Sequence, residues 1–255
     1  MRQESGYERE GVATSERRRG LDSTGGPGAH AEGNRRTARV TGLWYLALGI
    51  AGMVGFLLIR PQIHVAGDAA ATLANLVDEV ALARTGLVME LVLVVAQALA
   101  AVWFYKLFRS FSEPAAWAVG AFGLVNAIAV LASAAFMATA LAVAGDTGLA
   151  PGGDAAATVQ LMYELGSSSW QVGGLFFGLW LIPMGYLAGL AGMPRWLGRI
   201  LIAGGVGYLL STFMSAAIAE PVTWLVDGLI YPATIGEFWM IGYLLTVGIR
   251  QPATG

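Results

Sequence analysis

The chain has 255 residues, 56% of them hydrophobic and only 13% charged, against about 25% charged in an ordinary soluble domain. That balance places it in the membrane class, and with a formal net charge of −2 nothing points to nucleic acid. The absence of cysteine excludes disulfides, thiol redox chemistry and thiolate metal sites.

Fourteen of the thirty-two charges fall in residues 1–39, a stretch of Arg, Glu, Gly and Ser with almost no aliphatic side chains. Such a composition cannot bury enough surface to offset the entropy of ordering. It predicts a disordered cytoplasmic tail over 1–39, followed by a membrane domain over 40–250. The first apolar run starts only at Thr41 and no small-residue cleavage site follows a short core, so it predicts a retained span and not a signal peptide.

Six apolar windows approach the roughly 20 residues needed to cross a bilayer. They cover 41–59, 85–105, 115–143, 170–190, 197–218 and 229–249, and predict an all-α membrane protein, a bundle of six transmembrane helices. Basic residues alternate between the connections. Arg35, Arg36 and Arg39, then Lys106 and Arg109, then Arg195 and Arg199, and finally Arg250 mark one side, whereas the other holds only Arg60 and Arg84. The positive-inside rule therefore predicts both termini on the cytoplasmic side. Trp44, Trp103, Trp117, Trp170, Trp196 and Trp224 fall near span ends, where headgroup-level anchors are expected.

This threading puts GDAAATL at 67–73 and GDAAATV at 153–159 on the outer side, as near-identical heptapeptides after the first and third spans. Asp68 and Asp154 are placed to cap helices through first-turn N–H groups. Beyond the cap, Leu73, Leu76 and Val77 correspond to Val159, Met162 and Tyr163, and Asp78 to Glu164. Two short amphipathic helices on the outer interface are expected. Duplication of a span–helix–span unit and shared capping chemistry both account for the pair.

Catalytic signals are absent. His30 lies in the tail, leaving His64 as the body's one candidate base. Ser167, Ser168 and Ser169 lack a G-x-S-x-G elbow. Gly204 to Gly207, GGVG, sit in an apolar span and serve packing, not a phosphate loop. No metal shell or cofactor motif can be assembled, so non-enzyme functions rank first.

Polar residues inside spans are the better lead, since a charge near bilayer centre costs several kcal/mol (about 2.5 to 3.5 on insertion scales) and tends to face a partner or cavity. Glu90 and Gln97 share one face of the second span, and Glu237 lies at a comparable depth in the sixth. The two carboxylates are expected to share an outward-facing cavity, with Arg60, His64 and Arg84 near enough to neutralise them. Asn126 is expected to hydrogen-bond between helices. In the fourth span, Gly174 and Gly178, then Gly185 and Gly189, form small-xxx-small pairs for close helix approach, with Pro183 between them as a kink.

GLFFGLWLIPMGYL at 174–187, MPRWLGRILIAGGVGYLLSTF at 193–213 and PATIGEFW at 232–239 together resemble the bacterial membrane family catalogued as domain of unknown function 4386. AGDAAAT, after the Arg60-Pro61 turn, fits it as well. The resemblance covers roughly 38–250 and implies a multi-span integral protein with no assigned reaction; Glu237 falls on the acid of the family's Gly-Glu motif. The expected outward-facing acidic cavity points to a small transporter or permease-like subunit of a bacterial cell membrane, with a membrane-bound sensor or partner-binding protein as the alternative. The lipid bilayer is the expected partner, with a homo-oligomer or a further membrane protein as candidates, and no cofactor is implied.

Overall fold

The computed structural model describes residues 27–218 and 223–249, and these are all-helical. The first helix, α1 (Pro27–Gly52), passes into a π-helical turn over Met53–Ile59, with the Arg60 N–H bonded to the Gly55 carbonyl. Pro61 supplies the cause. It has no N–H, and its ring would press on the carbonyl four residues back in a regular α-helix. The wider π turn relieves that contact before α2 (Arg60–Ile63) ends in extended backbone at His64. Part of the expected tail is therefore helical, since α1 begins at Pro27 and not after residue 39; the rest of that tail lies outside the described residues.

After α3 (Ala69–Asp78) the chain breaks at Glu79, then runs through α4 (Val80–Phe108) and α5 (Glu113–Gly145). Two short 3-10 turns lead to α6 (Ala155–Leu190), which at 36 residues is the longest element. Gly192, with φ +70°, closes α6: the Met193 N–H reaches the Ala188 carbonyl and the Gly192 N–H that of Gly189, a left-handed cap that glycine adopts without strain. Next come α7 (Arg195–Ala217), α8 (Thr223–Gly228) and α9 (Tyr231–Thr246).

Five helical stretches are long and apolar enough to cross a membrane: Asn34–Ile63, Val80–Phe108, Glu113–Gly145, Ala155–Leu190 and Arg195–Ala217. With 16 residues, α9 spans about 24 Å at 1.5 Å per residue, short of the roughly 30 Å hydrocarbon core. The two expected outer helices differ in kind. The first is a separate element, α3, whereas the second is no separate helix but the opening turns of α6. Nothing interrupts the backbone between Asp154 and Leu190 strongly enough to divide it, and about 54 Å of helix exceeds any bilayer core.

Successive long helices pack as neighbours, and α9 closes back on α1, so α1, α4, α5, α6, α7 and α9 form a ring. Its exterior carries exposed aliphatic side chains such as Leu57, Val95, Ile128 and Val172. The interior is filled by Tyr45, Phe104, Phe108 and Trp180, which pack with one another largely edge to face. A second apolar cluster, built on Ile63, Leu76, Val159 and Tyr163, lies beneath α3.

Glycines set how closely α6 and α7 approach. A Cβ on Gly178 would lie 2.7 Å from the Gly205 carbonyl, and one on Gly185 would lie 2.5 Å from that of Gly198. The contacts are reciprocal, seven residues apart on both helices. Gly204 and Gly207 face away from α6, onto Ala233 and Leu229. Of the four glycines expected at this contact, Gly174 faces Thr212 and Tyr208 of α7, while Gly189 points its missing side chain into open space and meets α7 through its backbone, its N lying 3.7 Å from the Cβ position of Gly198.

Candidate buried polar site

Arg60 leaves the π turn pointing into the ring and is only 7% exposed. One guanidinium nitrogen, Nη1, lies 3.5 Å from Glu90 Oε1, and Nη2 donates to the Tyr163 carbonyl and to Ser167 Oγ, both at 2.8 Å. The guanidinium also lies 5.4 Å from the Phe56 ring centroid and 5.7 Å from that of Tyr163. Glu90 Oε1 further accepts from Ser133 Oγ and Trp170 Nε1, both at 3.3 Å. One ion pair therefore joins the first segment to α4, α5 and α6. Removing either partner of such a pair strands a buried charge at a cost of about 3 to 5 kcal/mol.

His64 lies just outside this clamp. Its ring stacks on Tyr163 with centroids 5.2 Å apart and planes 4° from parallel, and its Nε2 lies 3.3 Å from Glu164 Oε1. Gln160 ties the same corner together, donating to Glu164 at 3.0 Å and accepting from Thr72 at 2.8 Å. Arg60 and His64 thus both contact the Tyr163 ring, and Arg60 also holds its carbonyl.

Two turns beyond Glu90 on α4, Gln97 is fully buried and, among the described residues, neither of its amide atoms has a hydrogen-bond partner; nor has Trp180 Nε1. A Cβ on Gly123 would sit 3.4 Å from both Gln97 Nε2 and Trp180 Nε1, so the missing side chain brings the two donors to one spot. Glu90 Oε2 and the Tyr163 hydroxyl are likewise without hydrogen-bond partners among the described residues. Asn126, 7% exposed, has its Oδ1 3.4 Å from the Cβ position of Gly173 on α6, which places it between helices, but its amide makes no interhelical hydrogen bond among the described residues.

Several of the expected relations do not form, the first being that of His64, which meets Glu164 and neither Glu90 nor Glu237. Glu237 does not share a cavity with Glu90: it accepts from the Tyr45 hydroxyl at 2.7 Å, and Tyr45 lies fifteen residues, on the order of 20 Å of helix, before Arg60. Residues equally far from span ends sit at different levels once α9 is shorter than its neighbours. Arg84 is exposed and makes no ion pair among the described residues, because it lies on the opposite side of α4 from the buried Ala83, Gly86 and Glu90. Glu90 is only 2% exposed, so no outward-facing acidic cavity opens on it. Trp170 is not an interfacial anchor; its N–H is spent on Glu90 and its ring packs on Phe56. Trp117, Trp196 and Trp224, by contrast, are strongly exposed.

Sequence reasoning missed Ser133, Tyr163, Ser167 and Trp170 as Arg60–Glu90 partners, and Tyr45 as the partner of Glu237. Polar groups inside apolar runs were the available signal for Tyr45 and Ser133. For Tyr163 the contact is a backbone carbonyl, which no side-chain pattern announces.

An apolar-skinned ring of helices with paired charges inside is compatible with a multi-pass membrane protein. Residues 40–248 match the pattern of a domain of unknown function, DUF4386, and the chain belongs to that family. No curated protein and no solved structure matches it.

Proposed function

We propose that this chain is a six-span protein of a bacterial cytoplasmic membrane with both termini inside, and that it is a small permease-like protein held closed by the Arg60–Glu90 clamp. Counting α9 as the sixth span rests on its place in the ring, where it is seated between α1 and α7. One observation carries the permease reading: Glu90 Oε2, the Tyr163 hydroxyl, both Gln97 amide atoms and Trp180 Nε1 are buried inside the ring with no hydrogen-bond partner among the described residues. Each unsatisfied group costs about 1 to 3 kcal/mol. A purely structural polar network gains nothing from leaving them so, whereas a path for a small polar solute needs such groups along it.

The competing reading is a sensor or partner-binding protein that transports nothing. It draws support from the clamp itself, whose Arg60 is held by Glu90, Ser167 and the Tyr163 carbonyl and which is buried on both sides of the ion pair. Cysteine accessibility separates the two, because the parent has no cysteine and thiols react with hydrophilic reagents only where water reaches them. In native membranes, Gln97→Cys should react with a small hydrophilic thiol reagent while lipid-facing Val95→Cys does not, and Arg60→Ala should quicken the Gln97→Cys reaction. A Gln97→Cys that stays inert in both backgrounds would leave only the non-transporting reading.

A further inference from the structure

Toward the Leu190 end of α6, α5, α6 and α7 enclose a shallow groove of about 480 Å³. It is lined by Ala118 and Phe122 of α5, Leu179, Pro183 and Tyr186 of α6, and Ile202 of α7. The groove starts about one helical turn from the Leu190 end of α6 and runs toward the middle of that helix, the depth of one leaflet's acyl chains.

Its mouth has the opposite character. Arg199 lies three residues before Ile202 on the same face of α7, and Trp196 three before Arg199, with the guanidinium 5.1 Å from the Trp196 ring centroid. Such a contact leaves the guanidinium N–H edge available for phosphate oxygens. Trp117, next to groove residue Ala118, is 66% exposed and Trp196 is 65% exposed. Within 103–118 and 190–203 the charges are Lys106, Arg109, Arg195 and Arg199 against the single acid Glu113. None of the four basic residues makes an ion pair among the described residues.

We propose that this groove is a phospholipid site: one acyl chain lies along Phe122, Pro183 and Ile202, and an anionic headgroup sits among Arg199, Arg195 and the two exposed tryptophans. The occupant follows from charge complementarity, as an apolar trough ending in unpaired guanidinium groups at headgroup depth matches a lipid that carries both tail and negative charge. The inference rests on the membrane reading, and on the proposed topology only for its placement in the cytoplasmic leaflet.

The test is native mass spectrometry of the delipidated full chain, titrated separately with phosphatidylglycerol and phosphatidylcholine vesicle lipid in detergent. Phosphatidylglycerol should be retained preferentially, and Arg199→Gln should lower that preference about fivefold, the equivalent of roughly 1 kcal/mol for one basic residue near a headgroup. Filling the groove with Ala118→Phe, or with Ile202→Trp should the first variant fold poorly, should abolish the retained lipid, while Val172→Phe on another exposed face should not. Equal retention of the two lipids, or parent-like binding by a folded groove-filled variant, would overturn the proposal. So would a stable dimer that excludes lipid, since a second copy would then cover the groove. External labelling of Ser110→Cys would instead move the site to the other leaflet and leave the headgroup preference in detergent unchanged, so failure of the topology and failure of the site are distinguishable.

Discussion

The two GDAAAT segments begin alike and end differently. Asp68 Oδ1 accepts from the Ala71 N–H and Asp154 Oδ1 from the Ala157 N–H, each at 2.9 Å, so the caps are geometrically the same. Thereafter the first helix breaks at Glu79 after ten residues, while the second runs on to Leu190. Their buried faces differ too. The first buries Thr72 and Leu76, the second Ala155, Val159 and Tyr163, a shift of one residue or about 100° of helix rotation. The matched pairs Leu76 with Met162 and Val77 with Tyr163 therefore exchange roles. This asymmetry has a functional consequence: its rotation turns Tyr163 toward Arg60 and His64, and its continuation carries Ser167 and Trp170 to the clamp. Identical local chemistry has been put to two tertiary uses, with the first helix covering the site and the second building it.

The sharpest way to break this comparison is truncation at matched positions. Tyr163→Ala should cost about 3 to 5 kcal/mol, as for other large buried aromatics, while Val77→Ala, on an exposed side chain, should stay within about 0.5 kcal/mol. Reversible unfolding in mixed micelles reads both. Equal losses would mean that the two helices bury the same face.

A smaller contrast is expected at the threonines. Thr72 is fully buried and bonds to Gln160 and Val65, so Thr72→Val should cost about 1 to 3 kcal/mol by leaving those groups unpaired. Thr158 bonds only back to the Asp154 carbonyl, and Thr158→Val should change stability by no more than about 0.5 kcal/mol in the same assay.

The caps should be nearly equivalent in energy and different in reach. Asp68→Ala and Asp154→Ala should each cost about 0.5 to 2 kcal/mol. Hydrogen exchange should then quicken along all of Ala69–Asp78 in the first variant, but only in the opening turn of Ala155–Leu190 in the second, because the remainder is held by the ring. Exchange that spreads deep into α6 would show that its outer part is an independent unit after all.

The mildest test perturbs neither helix. Cysteines at exposed Ala70 and Ala157 should both react with an impermeant thiol reagent on intact cells, Ser110→Cys should not, and none should shift the melting temperature. Labelling of only one of the first pair would place the two segments on different sides of the membrane.

Much of the helical plan was legible beforehand because it depends on near neighbours in sequence. Apolar runs located five long helices, Asp68 and Asp154 revealed their caps, and Gly178 and Gly185 marked a close helix contact. Of the groups expected to neutralise the buried acids, Arg60 meets Glu90, whereas His64 meets Glu164 instead. The π turn was not foreseen, although Pro61 following Gly52 and Gly55 offered the signal. Glu237, Arg84 and Trp170 were assigned by depth along a helix alone, and depth does not say which way a side chain faces.

What the sequence by itself determined was therefore where helices start, which stretches are apolar enough for a bilayer, and which polar side chains must find partners there. Those follow from backbone capping, helix length and the cost of burying charge, all of which act within a few turns of chain. Only the tertiary structure decided that Arg60 meets Glu90, Ser167 and the Tyr163 carbonyl, that Tyr45 takes Glu237, and that Gln97 and Trp180 converge where Gly123 lacks a side chain. Each of these contacts joins residues tens to nearly two hundred positions apart. They depend on the rotation and stagger of whole helices, and a one-residue change in either turns a side chain by about 100° and replaces its partners.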